Sequence, residues 1–158
     1  APLHEPFFEF VERLARNGEV RARKSFGCRG WVTPHATDLW APVFTRSTRA
    51  YWGMWHASNG WLLQHFWEHW RFTRDEEFLR ARAWPLMKGA CEFWCDWLVE
   101  HPETGRLVSG PSTSPENSFR DAHGQAAIFR RLSPQPWNVD RLYLARSRII
   151  GARSPIRR

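Results

Sequence analysis

The sequence is short of several things. In 158 residues it has only three cysteines, Cys28, Cys91 and Cys95. That number is odd and too small for a disulfide framework, so the thiols are expected to be free and buried. No apolar run approaches the ~20 residues that cross a bilayer, which argues against membrane insertion. The N-terminus lacks the basic, apolar and small-residue succession of a secretory signal, although a chain that starts on Ala1 without Met leaves a leader open. Alternating strand patterns, internal repeats and low-complexity stretches are absent before residue 130. The class this leaves is all-α.

Acidic residues are also missing from one region. The formal charge is +7 with a pI near 10.3, a balance that taken whole suggests a polyanion partner. From Ala1 to Phe129, however, fifteen basic residues face fifteen acidic ones. From Arg130 to Arg158 eight Arg face only Asp140, so the whole excess lies in the last 29 residues. This tail, with Pro134, Pro136 and Pro155 and no Lys, reads as a disordered or frameshifted end, and no nucleic-acid partner is expected.

Tryptophan is plentiful: ten of the eleven lie between Trp31 and Trp97. Helix packing accounts for most of them. The remainder could offer flat apolar faces to sugar rings, with one N–H at the rim.

The spacing predicts an amphipathic helix from Glu5 to about Arg23, with Phe7, Phe10, Val11 and Leu14 on one face. Ser25 to Thr48, rich in Gly, Pro and Thr, reads as a long ordered loop, and such loops are commonly functional. Trp55, Leu62, Phe66 and Trp70 mark a second helix. Asp75 and Glu76 open a third run, in which Pro85 either kinks the helix or starts its second half. His101 to Asn117 is again loop.

Three motifs carry candidate chemistry. In Pro111-Ser112-Thr113-Ser114-Pro115-Glu116-Asn117, Ser114 and Pro115 form a helix start with Glu116 in the first turn. There Glu116 either complements the helix dipole or, with its pKa raised by burial, serves as a general acid. His65-Phe66-Trp67-Glu68-His69 fits the H-x-x-E-H arrangement of zinc peptidases, although its Trp-rich flanks suggest a packed helix. On the loop, His35 and Asp38 could bind hydroxyls, or Asp38 could simply brace the backbone.

Six blocks in order, Gly30-Trp31-Val32, His35 to Trp40, Tyr51 to Trp55, Gln64 to His69, Pro85 to Ala90 and Pro111 to Asn117, resemble the catalytic domain of glycoside hydrolase family 95, the α-L-fucosidases. The resemblance runs from about Leu3 to Ala127 and removes most of the support for zinc. It implies an incomplete slice of an (α/α)6 barrel over 1–127, with a separate tail over 128–158. It implies hydrolysis of terminal α-linked L-fucose with inversion, no cofactor and no metal. Glu116 would be the general acid, and His35, Asp38, Trp52, Trp55 and Asn117 the substrate-binding candidates. The family's water-activating asparagines and their supporting aspartate have no counterpart in this chain, so the chain alone is expected to be inactive. Ala36 stands where the family usually has Asn, and Pro34 where His is frequent. The expected partner is a fucosylated oligosaccharide, in a secreted or periplasmic setting, with no membrane involvement. A non-catalytic carbohydrate-binding module using Trp52, Trp55 and Trp61 is the alternative, and a zinc peptidase on His65 and His69 the lesser one.

Overall fold

The computed structural model describes residues 2–43, 55–100, 105–109, 119–120 and 126–127. A 3-10 turn, Pro2–His4, leads into α1 (Glu5–Phe26), followed by α2 (Ser58–Thr73), α3 (Glu76–Phe78) and α4 (Trp84–Trp97). The all-α expectation holds. Among the described residues four two-residue strands also occur, β1 (Val99–Glu100) paired antiparallel with β2 (Leu107–Val108), and β3 (Phe119–Arg120) with β4 (Ala126–Ala127). Two residues are too few to show an alternation, so the sequence pattern could not signal them.

α1 ends on Gly27 in the left-handed conformation, with its N–H on the last-turn carbonyls of Ala22 and Arg23. Glycine is favoured there because it has no Cβ. α3 starts at Asp75, whose Oδ1 accepts the Phe78 N–H at 2.9 Å. Between α3 and α4 the helix widens into a π turn, Leu79–Ala83, where the Trp84 N–H reaches back five residues to Leu79. Pro85 then falls in the first turn of α4. A proline inside a regular helix clashes with the carbonyl four residues earlier, and the wider turn relieves that clash. Pro85 therefore starts the second half of the run.

One core unites Phe8, Val11 and Ala15 of α1 with Leu63 and Phe66 of α2, Phe78 of α3, and Ala83, Met87 and Ala90 beyond it. A second gathers Ala22, Cys28, Val32, Ala57, Phe93 and Trp94. At the edge of the first, Arg82 in the π turn donates to Glu12 Oε1 and Glu5 Oε2, each at 2.6 Å. Its guanidinium also lies over the rings of Phe8 and Phe78. This clip ties α1 to the α3–α4 turn and holds the Glu5 carboxyl below the usual carboxylate range.

Of the three thiols expected to be buried, only Cys28 is; Cys91 is half-buried and Cys95 exposed, and none is in a disulfide. Burial pushes the Cys28 thiol up. Cys91 and Cys95 sit one turn apart on α4, where their face turns partly to solvent. Among the described residues no helix is long and apolar enough to cross a membrane.

Candidate functional site

The loop from Gly27 to Val43 is the structured centre around which the candidate residues sit. Its first half threads between helix backbones. Gly30 has φ 62°, and a Cβ there would lie 1.8 Å from the Gly89 carbonyl oxygen of α4. A Cβ on Gly18 of α1 would lie 2.7 Å from the Val32 oxygen on the opposite side. Trp31 donates through Nε1 to the Leu86 carbonyl at 2.9 Å, and its ring occupies the space a side chain at Gly89 would need. The Gly30-Trp31-Val32 block is thus a packing device in which three glycines let three backbone segments meet.

The start of α2 closes the same region. Asn59, fully buried, donates to the Trp31 carbonyl at 2.8 Å. Its Oδ1 accepts from the Gly60 N–H and from Trp94 Nε1, at 2.7 and 3.2 Å. Ser58 Oγ donates to the Thr33 carbonyl. One amide side chain therefore links the loop, α2 and α4, satisfying groups that burial would otherwise strand.

The second half of the loop is held differently. Arg13, Asn17 and Arg21 of α1 donate to the carbonyls of Leu39, Ala41 and Val43. Four helical residues rise about 6.0 Å and two extended residues span about 6.6 Å, so the two repeats run nearly in step. Within this stretch Asp38 Oδ1 accepts the Trp40 N–H at 2.9 Å, and the Asp38 carbonyl accepts the Ala41 N–H at 2.8 Å. Thr37 Oγ1 donates to the Pro42 carbonyl at 3.0 Å. Asp38 accordingly braces a turn, as one of its two expected roles required.

His35 and Trp55 come together, with ring centroids 6.4 Å apart. The row continues through Trp61, 6.1 Å from Trp55, to His65 at 6.3 Å and then to Phe7 at 5.1 Å. Trp55 precedes α2 rather than belonging to it, so the stripe expected across Trp55 and Leu62 is broken at Ser58. Trp31 and Trp94 are buried, and Trp61 and Trp40 are the exposed indoles among the described residues. Trp52, Glu116 and Asn117, expected as a stacking platform, the general acid and its neighbour, lie outside the described residues, as does the tail from 128 onward.

The H-x-x-E-H side chains separate. His65 packs its ring against Phe7, whereas His69 packs against Phe8 and Phe78 and meets His4. Glu68 pairs with Arg71 at 2.9 Å. Among the described residues no three His, Cys, Asp or Glu side chains converge into a group that could hold a metal.

Several residues that position this region gave no usable signal in the sequence. Arg13, Asn17 and Arg21 repeat every four residues, a spacing shared by any solvated helix face. His56 is buried between Phe26, Phe93 and Trp97, with ring centroids of 4.8, 6.0 and 4.5 Å. Burial, aided by the charge of Arg21, lowers its pKa to about 4, so it is neutral at pH 7. Neither His56 Nε2 nor Trp97 Nε1 has a hydrogen-bond partner among the described residues.

Comparison with known proteins places this arrangement. Residues 1–133 match the model of the glycosyl hydrolase family 95 catalytic domain. The chain is 38% identical over 123 residues to alpha-L-fucosidase 2 of Arabidopsis thaliana, covering 78% of this chain and 14% of that protein. It is 31% identical over 119 residues to the probable alpha-fucosidase A of Aspergillus niger, covering 73% of this chain and 15% of that one. The chain thus spans about one seventh of the length of these curated relatives. The helical fold and the matched extent agree, and the chain belongs to the glycosyl hydrolase family 95 catalytic domain family.

Proposed function

We propose that the chain is the acid-bearing part of an inverting α-L-fucosidase. In this reading Glu116 protonates the leaving glycosidic oxygen of a terminal α-linked L-fucose. The observation that carries it is the extent of the family match, which runs through Pro111 to Asn117 and on to residue 133. The fucosidase names of both relatives supply the substrate class.

An acid at neutral pH needs its carboxyl kept protonated, and burial beside aromatic rings is the ordinary way to achieve that. The Trp-rich block before Ser58 is the source we assign to that burial. Trp55 and Trp52 would stack on the sugar, while His35, Asp38 and Asn117 would meet its hydroxyls. Ala36, in place of the usual Asn, removes an amide whose loss costs about 1 to 3 kcal/mol where it is buried. Inversion leaves room for a water opposite the acid, and the groups that activate it belong to parts of the domain outside this chain. We read 1–127 as the catalytic slice and 128–158 as a basic tail, into whose first six residues the family match extends.

The purified 158-residue chain should release no fucose from a 2′-fucosylated oligosaccharide. Release that Glu116→Gln abolishes would show that the base machinery is present after all.

A second reading is favoured by the aromatic row. Trp61 is half-exposed and adjoins Trp55, as a sugar-binding platform without catalysis would require. It predicts oligosaccharide affinity in this chain that survives Glu116→Gln and is lost in Trp61→Ala.

A further inference from the structure

His4, in the turn before α1, and His69, in the last turns of α2, bring their Nδ1 atoms to 3.3 Å. No enzymatic role assigned above uses this contact. In a tetrahedral site with Zn–N bonds of 2.0–2.1 Å, two imidazole nitrogens stand about 3.3–3.4 Å apart. Without an ion one imidazole proton bridges the two nitrogens as a hydrogen bond, and the separation matches the edge of such a tetrahedron.

The two rings are also set in place before any ion arrives. They meet edge to face, with centroids 5.5 Å apart and planes at 74°. Phe8 packs edge-on against both, at 6.0 Å from His4 and 4.9 Å from His69. Phe78 covers His69 from the other side at 4.5 Å. Rings held this way lose little rotamer freedom on binding an ion. The contact is open to solvent, so an ion can reach it.

The local charge is compatible with a divalent cation. The carboxylates of Glu5 and Asp75 lie within electrostatic range of His69. Glu5 is shared with Arg82, and Asp75 caps α3, so neither is free to serve as a close ligand. With no third protein ligand converging, water fills the remaining positions.

We propose that His4 and His69 form a two-histidine site for a borderline transition cation such as Zn²⁺ or Co²⁺, tying the start of α1 to the end of α2. The site is not the one suggested by H-x-x-E-H. It uses His69 with a histidine from another segment, and His65 has no part in it. An ion bound there adds a link between α1 and α2, beside the Arg82 clip that ties α1 to the α3–α4 turn.

The test is titration of the full chain, free of any polyhistidine tag, with Zn²⁺ by calorimetry and with Co²⁺ by visible absorption at pH 7.5. The expected result is one ion per chain in both titrations, with a shift of the Co²⁺ absorption bands on binding. His4→Ala and His69→Ala should each weaken binding at least about tenfold, since even loss of an outer-sphere partner costs that much. His65→Ala and the double variant Cys91→Ser/Cys95→Ser should bind as the parent does. Three results would overturn the proposal: substoichiometric binding by the unaltered chain, unchanged affinity in His4→Ala and His69→Ala, or loss of binding in the cysteine variant. The first needs no variant and so does not depend on one folding.

Discussion

The two halves of the loop between α1 and α2 are built on opposite principles. Gly30 to Thr33 is threaded between backbones, buried from Trp31 onward, and specified by the absence of side-chain atoms at Gly18, Gly30 and Gly89. Thr37 to Val43 lies along α1 with Leu39 and Trp40 in solvent, held by donors from Arg13, Asn17 and Arg21. The first half is fixed by shape and tolerates no added atom. The second is fixed by polar rungs that can be lost one at a time. His35 lies between the two, so its position depends on a rigid anchor on one side and an adjustable one on the other.

That contrast can be broken most severely at Gly30. Gly30→Ala places a Cβ on the Gly89 oxygen and forces a left-handed alanine. We expect a loss of about 3–5 kcal/mol, or no cooperative transition at all, in urea unfolding. A loss below ~1 kcal/mol would mean that the helices separate easily and the anchor is not rigid.

Acid should reach the rigid half next. The folded-state pKa of His56 is depressed to about 4, against an ordinary value of 6.5. In the window between these values the unfolded chain binds more protons than the folded one. Stability is therefore full above about pH 6.5 and falls as pH drops toward 4, by about 3 kcal/mol. His56→Phe should flatten that part of the pH profile. An unchanged slope would assign the acid sensitivity to other groups.

Asn59→Ala leaves the Trp31 carbonyl and the Trp94 N–H without their buried partner, and should cost about 2–3 kcal/mol by thermal or urea unfolding. Among the described residues Asn59 is the side chain that bonds both groups.

Asn17→Ala removes one part-buried rung from the second half, and should cost about 1 kcal/mol. Its effect should appear as faster amide exchange confined to the stretch from Asp38 to Val43. Equal losses for Asn17→Ala and Gly30→Ala would erase the distinction between the two halves.

The helices were legible because each buries one face at a regular spacing. α1 matches Glu5 to Arg23 with one further turn, and Asp75 announced itself as the cap it is. Pro85 showed that something would happen in the third run but not that a π turn would absorb it. The glycine block and the His35 to Trp40 block could be recognised from sequence, whereas the reason for the glycines required seeing which backbones they separate. Asn59 and His56 could not be read, since a buried polar side chain looks like a surface one until its partners are known. The H-x-x-E-H spacing correctly placed two histidines on α2, but helical periodicity says nothing about a third segment, and His4 supplies the partner that His69 meets.

The proposal that Glu116 is the acid of a fucosidase can be tested in a chimera. Residues 1–127 would replace the matching segment of the Arabidopsis relative, with and without Glu116→Gln, and fucose release from a 2′-fucosylated oligosaccharide would be measured. The chimera should be active, and Glu116→Gln should lower its kcat about 10²–10⁴-fold, the span typical of a general acid. An active chimera whose rate is unchanged by Glu116→Gln would contradict it.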